Sequence, residues 1–203
     1  MKLEVIHLRE PVGCAAIGAV AALLFLFVFP AGSISTLMHA VLKLPGPGAG
    51  IAVVLGPYLI LVAVLASRLM PVKGVTVLVS LTFAITYALV ARVLGIATNP
   101  KGAFGTQWFV LAAGVFGLAA EVVLAFGKAL REPWRCVAAG TVSNAVLVIF
   151  YWLVIFPRTA GWVRWRDVPI LIGLCLVCGL ASAYIAWRLS RSLTRPLARK
   201  EET

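Results

Sequence analysis

Residues 107–128, QWFVLAAGVFGLAAEVVLAFGK, decide the structural class of this chain. The segment is apolar and has the roughly 20 residues of helix that cross a hydrocarbon core of ~30 Å. Glu121 lies near its middle, and a carboxylate at that depth costs several kcal/mol unless it is paired, protonated or turned to a polar cavity. The segment therefore predicts a membrane span with a functional acid.

The composition extends this interpretation to the whole chain. Hydrophobic residues make up 62% of the 203 residues and charged residues only 12%, too few for the surface of a soluble domain. The alternating pattern of a barrel strand is absent from the sequence. We therefore predict an all-α integral membrane protein, one domain over residues 1–203, with spans at about 11–30, 51–70, 74–96, 107–128, 135–156 and 168–188.

Basic residues predict the orientation of these spans. The formal net charge is +11, and the cations cluster at the ends of the apolar runs, where they fix topology and meet anionic lipid. Lys and Arg are more frequent on the side that holds the N-terminus, which places both termini in the cytoplasm. The loops 31–50, 97–106 and 157–167 then lie outside, and residues 189–203 form a basic cytoplasmic tail. The predicted location is a plasma membrane of the prokaryotic type.

One face of the fourth span combines polar and small residues. Gln107, Gly114, Gly117 and Glu121 follow one another at spacings of 7, 3 and 4, so they share a face of the helix. The glycines form a groove with a polar group at each end. The face therefore predicts either a ligand groove or close packing against another helix.

The fifth span offers a matching face. Thr141, Asn144 and Tyr151 lie at spacings of 3 and 7, and the turn between the two spans is near Arg131. Glu121 precedes Arg131 by ten residues and Thr141 follows it by ten, so we expect them at similar depth. A carboxylate, an amide, a hydroxyl and an aromatic ring suit a small, flat, nitrogenous ligand. The alternative is an interhelical clasp between Glu121 and Asn144 or Thr141, worth under ~1–2 kcal/mol.

Two further positions are candidates for function. His39, in the outer loop 31–50, could cap a ligand pocket or simply be solvated. Ala15, Ala19 and Ala22 give the first span a small-residue face that allows close approach of another helix or of a partner subunit. By contrast, the stripe Thr76, Ser80, Phe83 and Tyr87 is interpreted as structural, because Ser and Thr in spans often bond their own backbone.

Signatures of enzymes and of bound metals are missing from the sequence. It has no H-E-x-x-H, no G-x-S-x-G, no phosphate-binding loop and no cluster of embedded acids. With two histidines and one embedded acid, metal or acid–base catalysis is difficult to assemble. We predict no enzymatic activity, no metal and no cofactor, and any energy for uphill transport must come from another subunit.

These features together resemble the substrate-binding S components of energy-coupling factor (ECF) vitamin transporters. Ala15-x-x-x-Ala19 is similar to the family's first-helix motif. Residues 117–121, GLAAE, and 138–144, AAGTVSN, resemble the members linked with thiamine and its hydroxymethylpyrimidine precursor, a likeness that covers roughly residues 105–190. The first half of the chain matches in layout only.

The resemblance implies a function and a set of partners. It implies that the chain binds a small water-soluble vitamin or precursor, thiamine or hydroxymethylpyrimidine, in a pocket that opens outward under the loop 31–50. It also implies ligand contacts at Glu121, Asn144, Tyr151 and Trp108, and docking of the Ala15–Ala19 face on a membrane coupling subunit that works with two ATPases. The alternatives are a self-sufficient carrier or channel in which Glu121 carries a proton, and a membrane assembly subunit.

Overall fold

The computed structural model describes residues 2–29, 33–44, 48–70, 72–95, 107–159 and 164–198. Within these ranges the chain is helical and contains no strand. Six helices are long and apolar enough to cross a membrane, which confirms the predicted fold class. Their α-helical parts are α1 (Lys2–Val28), α2 (Gly56–Leu69), α3 (Val75–Val93), α4 (Gln107–Phe126), α5 (Glu132–Phe150) and α6 (Val168–Ala198). The span of α2 begins at Ile51 and that of α5 ends at Ile155, because a π-helical segment extends each of these two helices.

Three shorter segments have π-helical hydrogen bonding. They are π1 (Thr36–Val41), π2 (Ile51–Leu55), which leads directly into α2, and π3 (Tyr151–Ile155), which continues α5. Segment π1 lies in the predicted outer loop 31–50.

Two helices are longer than the apolar runs that predicted them. Helix α1 begins at Lys2 and α6 continues to Ala198, through ten residues assigned to the basic tail. Hydropathy marks the part of a helix that lies in lipid, whereas a helix continues for as long as its residues favour it. Residues 199–203, the whole of loop 97–106 and residues 160–163 of loop 157–167 lie outside the described residues.

Helix α2 is at the centre of the bundle. It packs against α3, α5 and α6 and touches α1, and its span has the largest buried share of the six. Around it, α1 packs on α3, α3 on α4, α4 on α5 and α5 on α6. Helix α4 thus has two flanking helices, and each of its faces must be assigned to one of them.

Small residues bring these helices close together. A Cβ atom on Gly18 of α1 would lie 2.5 Å from the carbonyl oxygen of Val79, and one on Gly117 of α4 would lie 2.7 Å from Cα of Val77. Between α5 and α6, a Cβ on Gly140 would lie 2.6 Å from Cβ of Ala183. In a membrane, where apolar burial does not drive helix association, such contacts provide the packing energy.

The two ends of the bundle differ. The loop end is where α1, α3 and α5 finish, and it carries all three π segments. The turn end holds the short connections between α2 and α3 and between α4 and α5. There Arg68, in the last turn of α2, forms an ion pair with Glu132, in the first turn of α5. Each charge also complements the dipole of its own helix.

An aromatic cluster fills the loop-end half of the bundle between α1, α2, α3 and α4. Phe25 lies with its ring centroid 5.0 Å from that of Tyr58 and 5.7 Å from that of Phe83, and Tyr87 lies 5.5 Å from Phe109. The hydroxyl of Tyr58 donates to the carbonyl of Ala21 at 2.8 Å. The four residues of the α3 stripe are all buried: Thr76, Ser80, Phe83 and Tyr87. The predicted bonding of Ser and Thr to their own backbone is not seen, because Thr76 donates to Gly117 and Glu121 on α4 and the Ser80 hydroxyl has no partner among the described residues.

We expect Gly117→Ala to lower the free energy of unfolding by about 1–3 kcal/mol, because the added methyl group meets the α3 backbone, which cannot rotate away. Gly173→Ala is the matched control, since nothing lies within 4 Å of a Cβ at that position of α6. The measurement is unfolding of the purified protein in mixed micelles. Equal stabilities of the two variants would contradict the close contact between α3 and α4.

Candidate functional site

The three π segments all lie at the loop end. Segment π1 follows α1, π2 precedes α2 and π3 follows α5. Single π turns are rare and occur frequently at functional sites, because the wider turn redirects side chains and leaves backbone groups free for other partners. The loop end is therefore the first place to look for a binding site.

Within π2, the carbonyl of Ala52 has no backbone donor, and the reason is the pair Gly56-Pro57. The amide of Gly56 donates to the carbonyl of Ile51, five residues earlier, as in a π-helix. In an α-helix it would donate instead to the carbonyl of Ala52, four residues earlier. The π-helical donor of Ala52 would be residue 57, and proline has no amide hydrogen. The side-chain amide of Asn144 takes its place, with Nδ2 3.1 Å from the carbonyl oxygen of Ala52.

Asn144 joins three helices through this contact. It is fully buried on α5, and its Nδ2 also donates to the carbonyl of Cys175 on α6 at 2.9 Å. A Cβ at Gly56 would overlap Oδ1 of Asn144, and one at Gly179 would lie 3.3 Å from its Cβ. Oδ1 finds no hydrogen-bond partner among the described residues. The amide thus fits a space that only glycine leaves open on α2.

The segment before π2 closes over two aromatic residues of π3. Gly48 has a φ of +98°, and a Cβ there would lie 3.0 Å from Nε1 of Trp152 and 3.5 Å from Cδ1 of Tyr151. Both the backbone conformation and the close approach require glycine at this position. Tyr151 is half-buried, with its ring centroid 6.1 Å from that of Phe156. Tyr151 and Trp152 therefore lie beneath the described part of the loop, and we call these two residues the aromatic floor.

Glu121 lies at the other end of the bundle. Its carboxylate accepts from the amide of Gly74 at 2.8 Å and from the hydroxyl of Thr76 at 2.7 Å, with the amide of Thr76 at 3.4 Å. These donors belong to the N-terminus of α3, where free amides and the helix dipole favour a negative charge. The predicted pairing of Glu121 with Thr141 and Asn144 is therefore wrong, since its hydrogen-bond partners lie on α3 and those of Asn144 on α2 and α6.

The other predicted ligand contacts are divided between the surface and the interior. Gln107 is exposed at the start of α4, and Trp108 is half-buried against the core, both at the loop end. Thr141 is half-buried beside Gly179, and its buried Oγ1 has no hydrogen-bond partner among the described residues. Of the predicted set, Asn144, Tyr151 and Trp108 belong to the loop-end half, whereas Glu121 does not.

His39 has a local role in the described structure. It is exposed, and its Nδ1 lies 3.0 Å from the carbonyl oxygen of Leu44. Because a carbonyl oxygen only accepts, Nδ1 carries the proton of this bond. The amide of Leu44 in turn donates to Met38, which is buried in the core. His39 thereby fixes the turn that follows π1.

The small-residue face of α1 is only partly buried. Ala22 and Gly18 lie inside the bundle, Gly18 against α3, while Ala15 and Ala19 are half-exposed at the edge of that contact. The chain therefore covers one part of the face and leaves the Ala15–Ala19 edge accessible from the bilayer.

Sequence reasoning missed Gly48, Gly56 and Pro57 as parts of the site. The available signal was the Gly56-Pro57 pair inside an apolar run, because a proline in a span frees a carbonyl that another group must satisfy. Among the described residues no group of three or more His, Cys, Asp or Glu side chains could hold a metal ion.

Comparison with known proteins gives one structural match. No protein-family model matches the sequence, and no curated protein does. The solved structure described as "Crystal structure of an S-component of ECF transporter" superposes with a TM-score of 0.63, covering 95% of this chain and 86% of that one at 21% sequence identity. The chain therefore has the fold of an ECF S component.

A double-mutant cycle tests the link between Asn144 and Pro57. We expect Asn144→Ala to cost about 1–3 kcal/mol of unfolding free energy, because it leaves the Ala52 carbonyl buried without a donor. In a Pro57→Ala background the cost should be smaller, since the new backbone amide can bond to Ala52. The loss of the Cys175 contact is common to both backgrounds and cancels. An equal cost in both would contradict this account of π2.

A second experiment tests the role of Glu121. We expect Glu121→Gln to lower the unfolding free energy by about 1–3 kcal/mol. The NH₂ group of glutamine would replace one of the two accepting oxygens and would face a hydrogen-bond donor of α3. The control is Glu10→Gln, at an exposed acid of α1, which should change stability by about 0.5 kcal/mol or less. Unfolding in micelles measures both, and similar small effects would show that the capping contact contributes little.

Proposed function

We propose that this protein is the substrate-binding membrane subunit of an ECF-type importer and that it captures a small water-soluble vitamin or precursor. The observation that carries the proposal is the S-component fold, which extends over 95% of the chain. The partners in this proposal are a membrane coupling subunit and two ATPases. The half-exposed Ala15–Ala19 edge of α1 is the surface offered to the coupling subunit.

The ligand site in this proposal lies at the loop end, which faces the outside of the cell. Tyr151 and Trp152 supply aromatic faces for a flat ring, and Trp108 is in the same half of the bundle. The described residues of the predicted outer loop, 33–44 and 48–50, act as the cover. It is held by Met38, buried in the core, and by Gly48 on the aromatic floor.

Movement of the cover is coupled to the bundle through π2. The amide of Ala52 donates to the carbonyl of Gly48 at 2.9 Å, and the carbonyl of Ala52 receives Asn144. A displacement of Gly48 therefore acts on the residue that α5 and α6 hold in place. A substrate-dependent partner interaction requires such a connection, because the occupied and empty states must differ in the surface that the partner contacts.

The finer prediction concerns thiamine or hydroxymethylpyrimidine. It rests on the motifs of residues 105–190 and on a carboxylate, Glu121, that would accept from a nitrogenous ring. In the structure that carboxylate accepts from α3 at the turn end. Thiamine and hydroxymethylpyrimidine therefore remain candidates on motif similarity alone.

Ligand binding by purified variants tests the proposal. We expect the protein to retain a small molecule that mass spectrometry identifies, and Tyr151→Ala to weaken its binding about tenfold, equivalent to ~1.4 kcal/mol. Tyr184→Ala, at an exposed tyrosine of α6 far from π3 in the sequence, is the matched control and should bind normally. Glu121→Gln should also bind normally, whereas weakened binding by a stable Glu121→Gln protein would return Glu121 to the site.

Two results would contradict the proposed function. One is the absence of any bound small molecule, both as purified and after exposure to a panel of vitamins. The other is transport by this chain alone in liposomes that depends on a pH gradient, which would instead indicate a carrier.

A further inference from the structure

Charge at the loop end is strongly one-sided. Among the residues whose side chains the structure describes, this end carries four cations and one acid, a formal charge of 4 − 1 = +3. The cations are Lys43, Arg92, Arg164 and Arg166, and the acid is Asp167. We propose that the ligand of the loop end is an anion, recognised through a carboxylate or phosphate group. This inference rests on the proposed function and adds the substrate class.

The carboxylates that could bind a cationic ligand already have partners within the protein. Glu121 lies at the turn end and accepts from Gly74 and Thr76. Asp167 is only 6% exposed, just before α6, and lies 3.5 Å from Nε of Arg166. A ligand with a fixed positive charge would therefore meet an excess of like charge at the loop end and no free acid.

Several of the cations remain available. Lys43, Arg92 and Arg164 are exposed, and none of the three forms an ion pair with another described residue. Guanidinium and ammonium groups are strong donors to carboxylate and phosphate oxygens. An anion would thus find donors at this end without displacing an existing ion pair.

The backbone fixes two of these cations at the loop end. Lys43 has a φ of 51° and lies in the turn that His39 fixes, five residues before Gly48. Arg164 lies at the entrance to α6, where its carbonyl accepts from the amide of Asp167 at 2.9 Å. One cation therefore belongs to the cover and the other to the start of α6.

The combined electrostatic field of these cations also affects how fast a charged ligand associates with the loop end. An excess of one sign around an entrance raises the local concentration of the opposite ion and its association rate, and salt screens the effect within about 10 Å at ~0.1 M. A loop end whose described side chains have a formal charge of +3 favours anions over neutral molecules of the same shape. Binding of the preferred ligand should therefore weaken as salt is added.

The experiment uses probe pairs in which a neutral amide or alcohol group replaces the carboxylate. The full-length protein in detergent is titrated with nicotinate and nicotinamide, pantothenate and panthenol, and biotin and biotin amide, and with thiamine and hydroxymethylpyrimidine. We expect the acid of the pair that binds to bind at least about tenfold more tightly than its neutral partner. Its Kd should rise several-fold when sodium chloride is increased from about 50 to about 500 mM.

Matched variants assign the effect to the loop end. Lys43→Gln and Arg164→Gln should each weaken the acid by about three- to tenfold and leave the neutral partner unchanged. Lys128→Gln and Arg131→Gln remove the same kinds of charge from exposed positions at the turn end and should bind normally. Equal effects at both ends would overturn the assignment to the loop end.

The outcomes separate this inference from the proposed function. Tight binding of thiamine, or equal affinity for the acid and its neutral partner, would overturn the inference and leave a vitamin-binding subunit standing. If no probe binds and no small molecule is retained, the proposed function fails, and the inference fails with it.

Discussion

The hydrogen bond from Asn144 to the carbonyl of Ala52 is the constraint on which the loop end depends. Inside a bilayer every backbone group needs a partner from the protein itself, and Pro57 removes the one that Ala52 would have had. Asn144 can reach the carbonyl only because Gly56 has no side chain. The same amide bonds to Cys175, so one residue fixes α2, α5 and α6 at the base of the cover.

Glu121 has the equivalent task at the turn end. It accepts from amides at the N-terminus of α3, as Asn144 donates to a carbonyl at the start of α2. In both cases an expensive polar side chain satisfies backbone groups that a helix start or a proline leaves open. Polar residues within spans therefore have to be tested first as partners of the backbone, and only the remaining groups are candidates for ligand contact.

The sequence predicted the spans well and the neighbours of each helix poorly. The length of an apolar run and the 3.6-residue period determine how many spans there are and which residues share a face. The face of Gly117 and Glu121 was real, but it packs on α3 and not on α5, because α4 lies between two helices and periodicity cannot choose between them. The π segments were also unpredictable, since the wider turn at Gly56 depends on a side chain 88 positions away (144 − 56).

The hydrogen bonds of Asn144 and Glu121 also change which ligands the loop end can bind. Once Glu121 is assigned to α3, the predicted site loses its acid and keeps an aromatic floor with exposed cations around it. Aromatic faces accept flat rings of any charge, so the surrounding charge must discriminate among ligands. Asp167 is buried beside Arg166 and cannot reverse the sign. In the proposed site, the shape at Tyr151 and Trp152 and the positive charge on the cover and at the entrance to α6 would together favour a flat or compact molecule that carries an acid group.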